Sequence, residues 1–132
     1  MCYKSFYYNF VGESTTEIFN NTQNGYTSVK NFSGPIYDIL TNNVIGNHTY
    51  IGNINKLNQN EEGYAYGTGT FYFNDGSISF IITFRNDIYK FKEGTLVTTV
   101  SNASGAYFSL IGNPMTIEVN NTTSKRLITV KD

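Results

Sequence analysis

Few side chains in this sequence can do acid, base or nucleophilic chemistry, and they are scattered. There is one histidine, His48, and one cysteine, Cys2. Any Ser-His-Asp or Cys-His arrangement must therefore centre on His48, which follows Gly46-Asn47 at the start of a strand-like run. A lone histidine in that place serves either as a general base or as a surface or hydrogen-bonded structural group. A single cysteine makes no intrachain disulfide, and without a CxxC or a His/Cys cluster no zinc site, other metal site or redox dithiol is expected. Among the carboxylates, Glu17, Asp38 and Glu118 each fall within or at the end of a strand-like run. Pointed into an apolar interior, such a group has a raised pKa and serves as acid or base; pointed outward, it is solvated. Alternation fits both, so Glu17 and Asp38 stand as the weak catalytic candidates. The glycine-rich Gly67-Thr68-Gly69-Thr70 lies inside a strand pattern with no lysine after it, so it is no phosphate loop.

The aromatic residues carry more signal. Eleven tyrosines and ten phenylalanines make 16% of the chain aromatic, with no tryptophan. Tyr64, Tyr66 and Tyr72 share one face of an alternating run, and Phe80 and Phe84 lie on the return strand. Together they are the candidate lining of a ligand cavity, with tyrosine hydroxyls to orient what binds. Core packing and an exposed, subunit-burying sheet face use the same residues, and the pattern does not say which face turns inward.

No apolar period of 3.6 residues persists over a helix length, whereas apolar and polar residues alternate as strands require. The clearest stretch is 63–84, where Asn74-Asp75-Gly76 signals a tight type I′ hairpin turn between two runs. Further strands are expected at 3–10, 15–20, 26–32, 36–40, 49–57, 95–100, 106–110, 115–119 and 127–130. Between them stand turn signals such as Asn24-Gly25, Ser33-Gly34-Pro35 and Gly112-Asn113-Pro114. Gly67 and Gly69, on one face within a strand, point to a sharp bend or a close backbone approach, as barrel corners require. Residues 1–132 thus read as one all-β domain, a single antiparallel β-barrel of about eight strands.

Composition narrows the partners. The net charge is −1, charged residues make up 14%, and no basic stripe exists, which speaks against nucleic acid. No run of apolar residues is long enough for a membrane-spanning helix. The first residues, MCYKSFYYNFVGES, lack the apolar stretch of a signal peptide, so a non-secreted, cytoplasmic protein is expected, or a virion component if the source is a virus. Asn-x-Ser/Thr sequons begin at Asn20, Asn31, Asn47, Asn102, Asn120 and Asn121, a number that a chain so rich in Asn, Ser and Thr produces by chance. The abundance of Asn, Ile, Tyr, Phe and Lys reflects an AT-rich coding genome.

The order of features over about residues 16–130 resembles the allene oxide cyclase / dirigent-like barrel superfamily. Four pieces carry the likeness. Asn31-Phe32-Ser33-Gly34-Pro35-Ile36-Tyr37-Asp38 with Ile45-Gly46 resembles the family's Leu-Tyr segment and its following Ile/Val-Gly, and the strand at 49–57 comes next. Tyr66 to Phe73 with Asp75-Gly76-Ser77-Ile78-Ser79 resembles its long strand, tight turn and return strand. Gly105, Tyr107 and Gly112 match its glycine-rich stretch, where Asn102 and Ala103 replace the first glycines. The resemblance implies an eight-stranded barrel with an apolar interior, often assembled as a trimer, small hydrophobic substrates, and no metal or organic cofactor; a homo-oligomer, trimer or dimer, is accordingly expected. It does not carry the chemistry across. Glu17 fits the cyclase glutamate, but Phe19 stands where the paired asparagine belongs, and the Pro and Asn that hold a catalytic water fall at Asn31 and Gly34.

The expectation is therefore a barrel, leaning away from enzymatic activity, that holds a small hydrophobic ligand in its interior with Glu17 or Asp38 as a polar contact. A structural, self-associating homo-oligomeric module is the alternative, and a cofactor-free isomerase or cyclase the third reading.

Overall fold

The computed structural model describes residues 3–9, 26–56, 64–85 and 93–132. Eight strands close a barrel in chain order: β1 (Ser5–Asn9), β2 (Tyr26–Asp38), β3 (Val44–Lys56), β4 (Tyr64–Phe73), β5 (Gly76–Arg85), β6 (Glu93–Gly105), β7 (Pro114–Asn120) and β8 (Lys125–Val130). Every neighbouring pair is antiparallel, and β8 returns to β1 from Ser5–Thr129 to Asn9–Lys125. Among the described residues, closure leaves no outer edge strand to template aggregation. The expected all-β barrel of about eight strands is the architecture present.

Several local expectations are corrected. The expected strand at 15–20 lies outside the described residues. The segments 26–32 and 36–40 are not two strands but one, because the Ser33-Gly34-Pro35 signal does not turn the chain. Proline survives in a sheet where its missing N–H costs no ladder bond. At Pro35 that condition is met on the β1 side, since among the described residues β1 pairs with β2 at Tyr37 and Asp38 and not at Pro35. The expected strand at 106–110 is instead a turn and a 3-10 helical turn, Phe108–Leu110. Its cause is Gly105, which adopts φ 60° and takes the chain out of β6. The hairpin at 74–75 forms, but not as type I′. Positive φ falls on Gly76 (154°), and neither Asn74 nor Asp75 shares it. A side chain at Gly76 would also run into the Ser104 carbonyl and the Tyr107 ring.

Within β4 the two faces separate cleanly. Gly67, Gly69, Phe71 and Phe73 face the interior, and Tyr66, Thr68 and Tyr72 face out. The glycines make room for rings from the neighbouring strands. A Cβ at Gly67 would lie 2.5 Å from Tyr50 Cε2, and one at Gly69 would lie 2.5 Å from Phe80 Cζ. What crowds Gly67 and Gly69 is thus aromatic side chains and not the backbone approach expected there. Phe80 stacks on Phe71 at 5.5 Å and on Tyr50 at 6.2 Å, and Phe6 meets Phe71 and Phe73 edge-on at 4.8 and 5.2 Å. Such offset and edge geometries add to the area the rings bury.

One end of the barrel is plugged. Tyr107, in the turn after β6, is fully buried, stacks on Phe73 at 4.7 Å and accepts a hydrogen bond on its hydroxyl from the Tyr3 N–H at 3.1 Å. Leu110 and Met115 complete the buried layer at that end.

Candidate functional site

The chemistry-bearing residue that the barrel takes inside is His48. In β3 the even positions His48, Tyr50 and Gly52 are buried, and the odd positions Asn47, Thr49 and Ile51 are exposed. His48 sits in register between Gly34 of β2 and Phe71 of β4. The Tyr8 ring from β1 covers it at 4.2 Å between centroids. Only 3% of the residue is exposed, and its Nδ1 has no hydrogen-bond partner among the described residues. On the β2 side the residue in register is Gly34, which places no side chain against the ring. A Cβ added at Gly34 would meet His48 Cε1 at 3.4 Å and nothing else within 4 Å.

Burial holds the imidazole below its usual range, because the charged form loses its hydration; backbone hydrogen bonding from Gly34 and Pro35 offsets part of that. The ring is therefore neutral at pH 7, with one nitrogen able to accept and the other to donate. An unpaired polar atom inside an aromatic core is unusual and costs roughly 1–3 kcal/mol. Chemically it can hold a hydroxyl, carbonyl or amide group of a bound molecule, or act as a base toward one. Neither a surface position nor a complete set of structural hydrogen bonds describes this histidine.

The other candidates are placed differently. Phe80 lies inside, as a lining residue would. Tyr66 and Tyr72 do not line the interior: they stand on the outer face, about half exposed at 47% and 49%. The glycine-phenylalanine row of β4 is apolar throughout, so it takes the core side and leaves the hydroxyl-bearing row to water. The side chains of Tyr64 and Phe84 lie outside the described residues, although their strands do not. Glu17 lies outside them altogether. Asp38 is spent on the turn after β2. Its Oδ2 accepts from Thr41 Oγ1 at 2.9 Å, its N–H donates to the Asn43 carbonyl, and its carbonyl accepts from the Asn42 N–H. The carboxylate shapes the β2–β3 turn and is not aimed at His48. Glu118 is exposed on β7.

A second buried polar side chain, Arg126 on β8, donates to Asn121 Oδ1 at 3.1 Å and to the Lys125 carbonyl at 3.3 Å. It ties the β7–β8 turn to the strand. A groove of about 540 Å³ runs along β6, β7 and β8, lined by Glu93, Thr95, Glu118, Asn120, Lys125 and Leu127 among others. Lys125 holds its ammonium 4.2 Å from the Tyr7 ring centroid, a cation–π contact.

Among the described residues, no three of His, Cys, Asp and Glu come together to hold a metal ion, and no helix is long and apolar enough to cross a membrane. A scan of the chain against protein-family models and a search of curated proteins give no match.

Proposed function

We propose that the barrel binds a small, largely apolar molecule in its interior and orients it by one hydrogen bond to His48. The observation that carries this reading is the unpartnered Nδ1 of a histidine buried to 3% exposure among aromatic rings. Apolar walls with one or two placed polar groups are the usual make-up of a small-molecule site. Gly34, in register beside the ring, brings no side chain against it, which supports the same reading.

The test uses 2-naphthol, a flat apolar compound with one hydroxyl. Because His48 is the only histidine, its imidazole nitrogen signals are unambiguous in NMR. Binding shifts the Nδ1 resonance, and His48→Phe weakens binding roughly tenfold while the fold persists. Equal binding by His48→Phe, or none by the parent protein, refutes the reading.

A second reading, self-association as a dimer or trimer, is favoured by one observation. Ile51, Tyr66, Ile81 and Val97 are all large, about half exposed or more (52%, 47%, 57% and 70%), and carried by β3, β4, β5 and β6, four successive strands. Exposed apolar groups so arranged mark contact surfaces. Light scattering gives the oligomer mass; a strict monomer at high concentration refutes this reading.

A further inference from the structure

The wall of the barrel is not equally closed all round. Between β4 and β5 the register runs the whole length of both strands, from Phe73–Gly76 to Tyr64–Arg85. Between β5 and β6 it runs only from Gly76–Gly105 to Phe80–Val100 and stops. Both strands go on, Ile81 to Arg85 on one side and Glu93 to Thr99 on the other, each laddered to its outer neighbour and not to the other.

The cause is local. The register shifts between Ser79–Asn102 and Phe80–Val100, which leaves Ser101 as the extra residue of a bulge. A bulge bends its strand and commonly ends pairing. At the same point the backbone of Val100 faces the β7 side, its N–H donating to the Asn113 carbonyl at 2.9 Å and its carbonyl accepting from the Gly112 N–H at 2.8 Å, which continues the pairing of Thr99 with Pro114. One side-chain bond spans the seam: Thr98 Oγ1 donates to the Ile81 carbonyl at 2.6 Å.

The lips of the seam are apolar on both sides of the wall. Ile81 and Val97 stand exposed outside, while Ile82 is buried and Leu96 packs against the core inside. No side chain in Ile81-Ile82-Thr83 or in Thr95 through Thr99 is charged. A backbone ladder broken over several residues costs less to part than a complete one, since fewer bonds cross it.

We propose that the β5–β6 seam is a lateral gate to the barrel interior, latched by the Thr98 hydroxyl on the Ile81 carbonyl and passing thin, uncharged, apolar molecules. For its cargo the gate rests on the interior-binding reading above; for its opening it does not.

The test is thiol labelling with monobromobimane, a small uncharged reagent, in a Cys2→Ser background. The Ile82→Cys variant places a thiol just inside the seam. An Ile128→Cys variant places one equally deep on β8, which is laddered to both β7 and β1 at that residue. The gate predicts that Thr98→Val speeds labelling at position 82 about fivefold, the effect of losing one hydrogen bond of about 1 kcal/mol, while Thr98→Ser does not. Labelling at position 128 is slower and indifferent to Thr98. A Leu96→Cys variant reports from the opposite lip if Ile82→Cys fails to fold. The proposal is overturned if Thr98→Val leaves the seam rate unchanged, or accelerates both positions by the same factor. Should the labelling pattern hold while 2-naphthol fails to bind, the gate stands and the ligand reading falls. Should 2-naphthol bind while the labelling pattern fails, the reverse follows.

Discussion

The glycine–ring packing at the middle of the barrel can be tested by replacing Gly69 with alanine. The added methyl would sit 2.5 Å from Phe80 Cζ and 3.3 Å from Cδ1. Ordinary van der Waals separation begins near 3.4 Å and Phe80 Cε1 lies closer still, so the ring must move by about 1 Å. Phe80 cannot yield freely, since it is 2% exposed and stacked between Phe71 and Tyr50. Overpacking of this kind costs about 1–3 kcal/mol, and replacing a strand glycine by alanine returns about 0.5–1 kcal/mol, so the net loss is about 1–2 kcal/mol. Phe80→Ala alone opens a cavity and costs about 3–5 kcal/mol. In the double variant the alanine methyl at 69 stands in the emptied space, so the two losses fall short of their sum by about 1–2 kcal/mol. Urea denaturation followed by far-ultraviolet circular dichroism measures all four proteins. With m near 1–3 kcal/mol/M, Gly69→Ala lowers the midpoint by about 0.5–1 M. A neutral or stabilising Gly69→Ala, or strict additivity with Phe80→Ala, refutes the account of why β4 carries glycine there.

Three further outcomes follow from the same geometry. A side chain at Gly46 would collide with the backbone carbonyl of Tyr72, which no rotamer relieves, so Gly46→Ala costs more than Gly69→Ala in the same urea series. Removing the plug by Tyr107→Ala costs about 3–5 kcal/mol, whereas Tyr107→Phe keeps the ring and loses the bond from the Tyr3 N–H, worth about 1 kcal/mol; thermal melts separate the two. Because burial lowers the His48 pKa, the unfolded chain takes up a proton before the folded one does. The histidine's contribution is therefore whole above about 6.5, and stability falls as pH drops below that value, by at most about 1.4 kcal/mol per pH unit. Urea midpoints of the parent and of His48→Phe across that range diverge if this is so and run parallel if it is not.

How much of this was readable in advance follows physical lines. The hairpin over β4 and β5 is legible because one long alternation, a turn signal and a second alternation agree. Its turn type is not, since the positive φ went to Gly76 and not to the two residues before it. Ser33-Gly34-Pro35 carries the composition of a turn, yet stays in β2 because Tyr26 to Asp38 all find partners on β3 or β1. Local residue preference cannot anticipate a partner strand. Alternation likewise marks two faces of β4 without saying which is inner. Side-chain chemistry could have decided it: the row with two glycines and two phenylalanines is the only one that closes over neighbouring rings, and the tyrosine row carries hydroxyls that water satisfies. The ligand-lining expectation for Tyr66 and Tyr72 failed at that step.

The site was less legible because its signal is a deficiency and not a motif. Nothing in Gly46-Asn47-His48-Thr49-Tyr50 separates a surface histidine from a buried one; parity with Tyr50 places both on one face, and only the closed wall makes that face the core. The decisive fact is what His48 lacks. A core that merely needed filling would take an apolar residue between Gly34 and Phe71, sparing the cost of a desolvated imidazole. Local departures from good packing and full hydrogen bonding concentrate where function requires them. A neutral imidazole with an unpartnered nitrogen, set beside Gly34 and under the Tyr8 ring, is such a departure. The same reasoning separates His48 from Arg126, which is as buried but has its guanidinium bonded to its own turn. Burial is common to both; the unmet hydrogen bond is what makes His48 the candidate for a ligand.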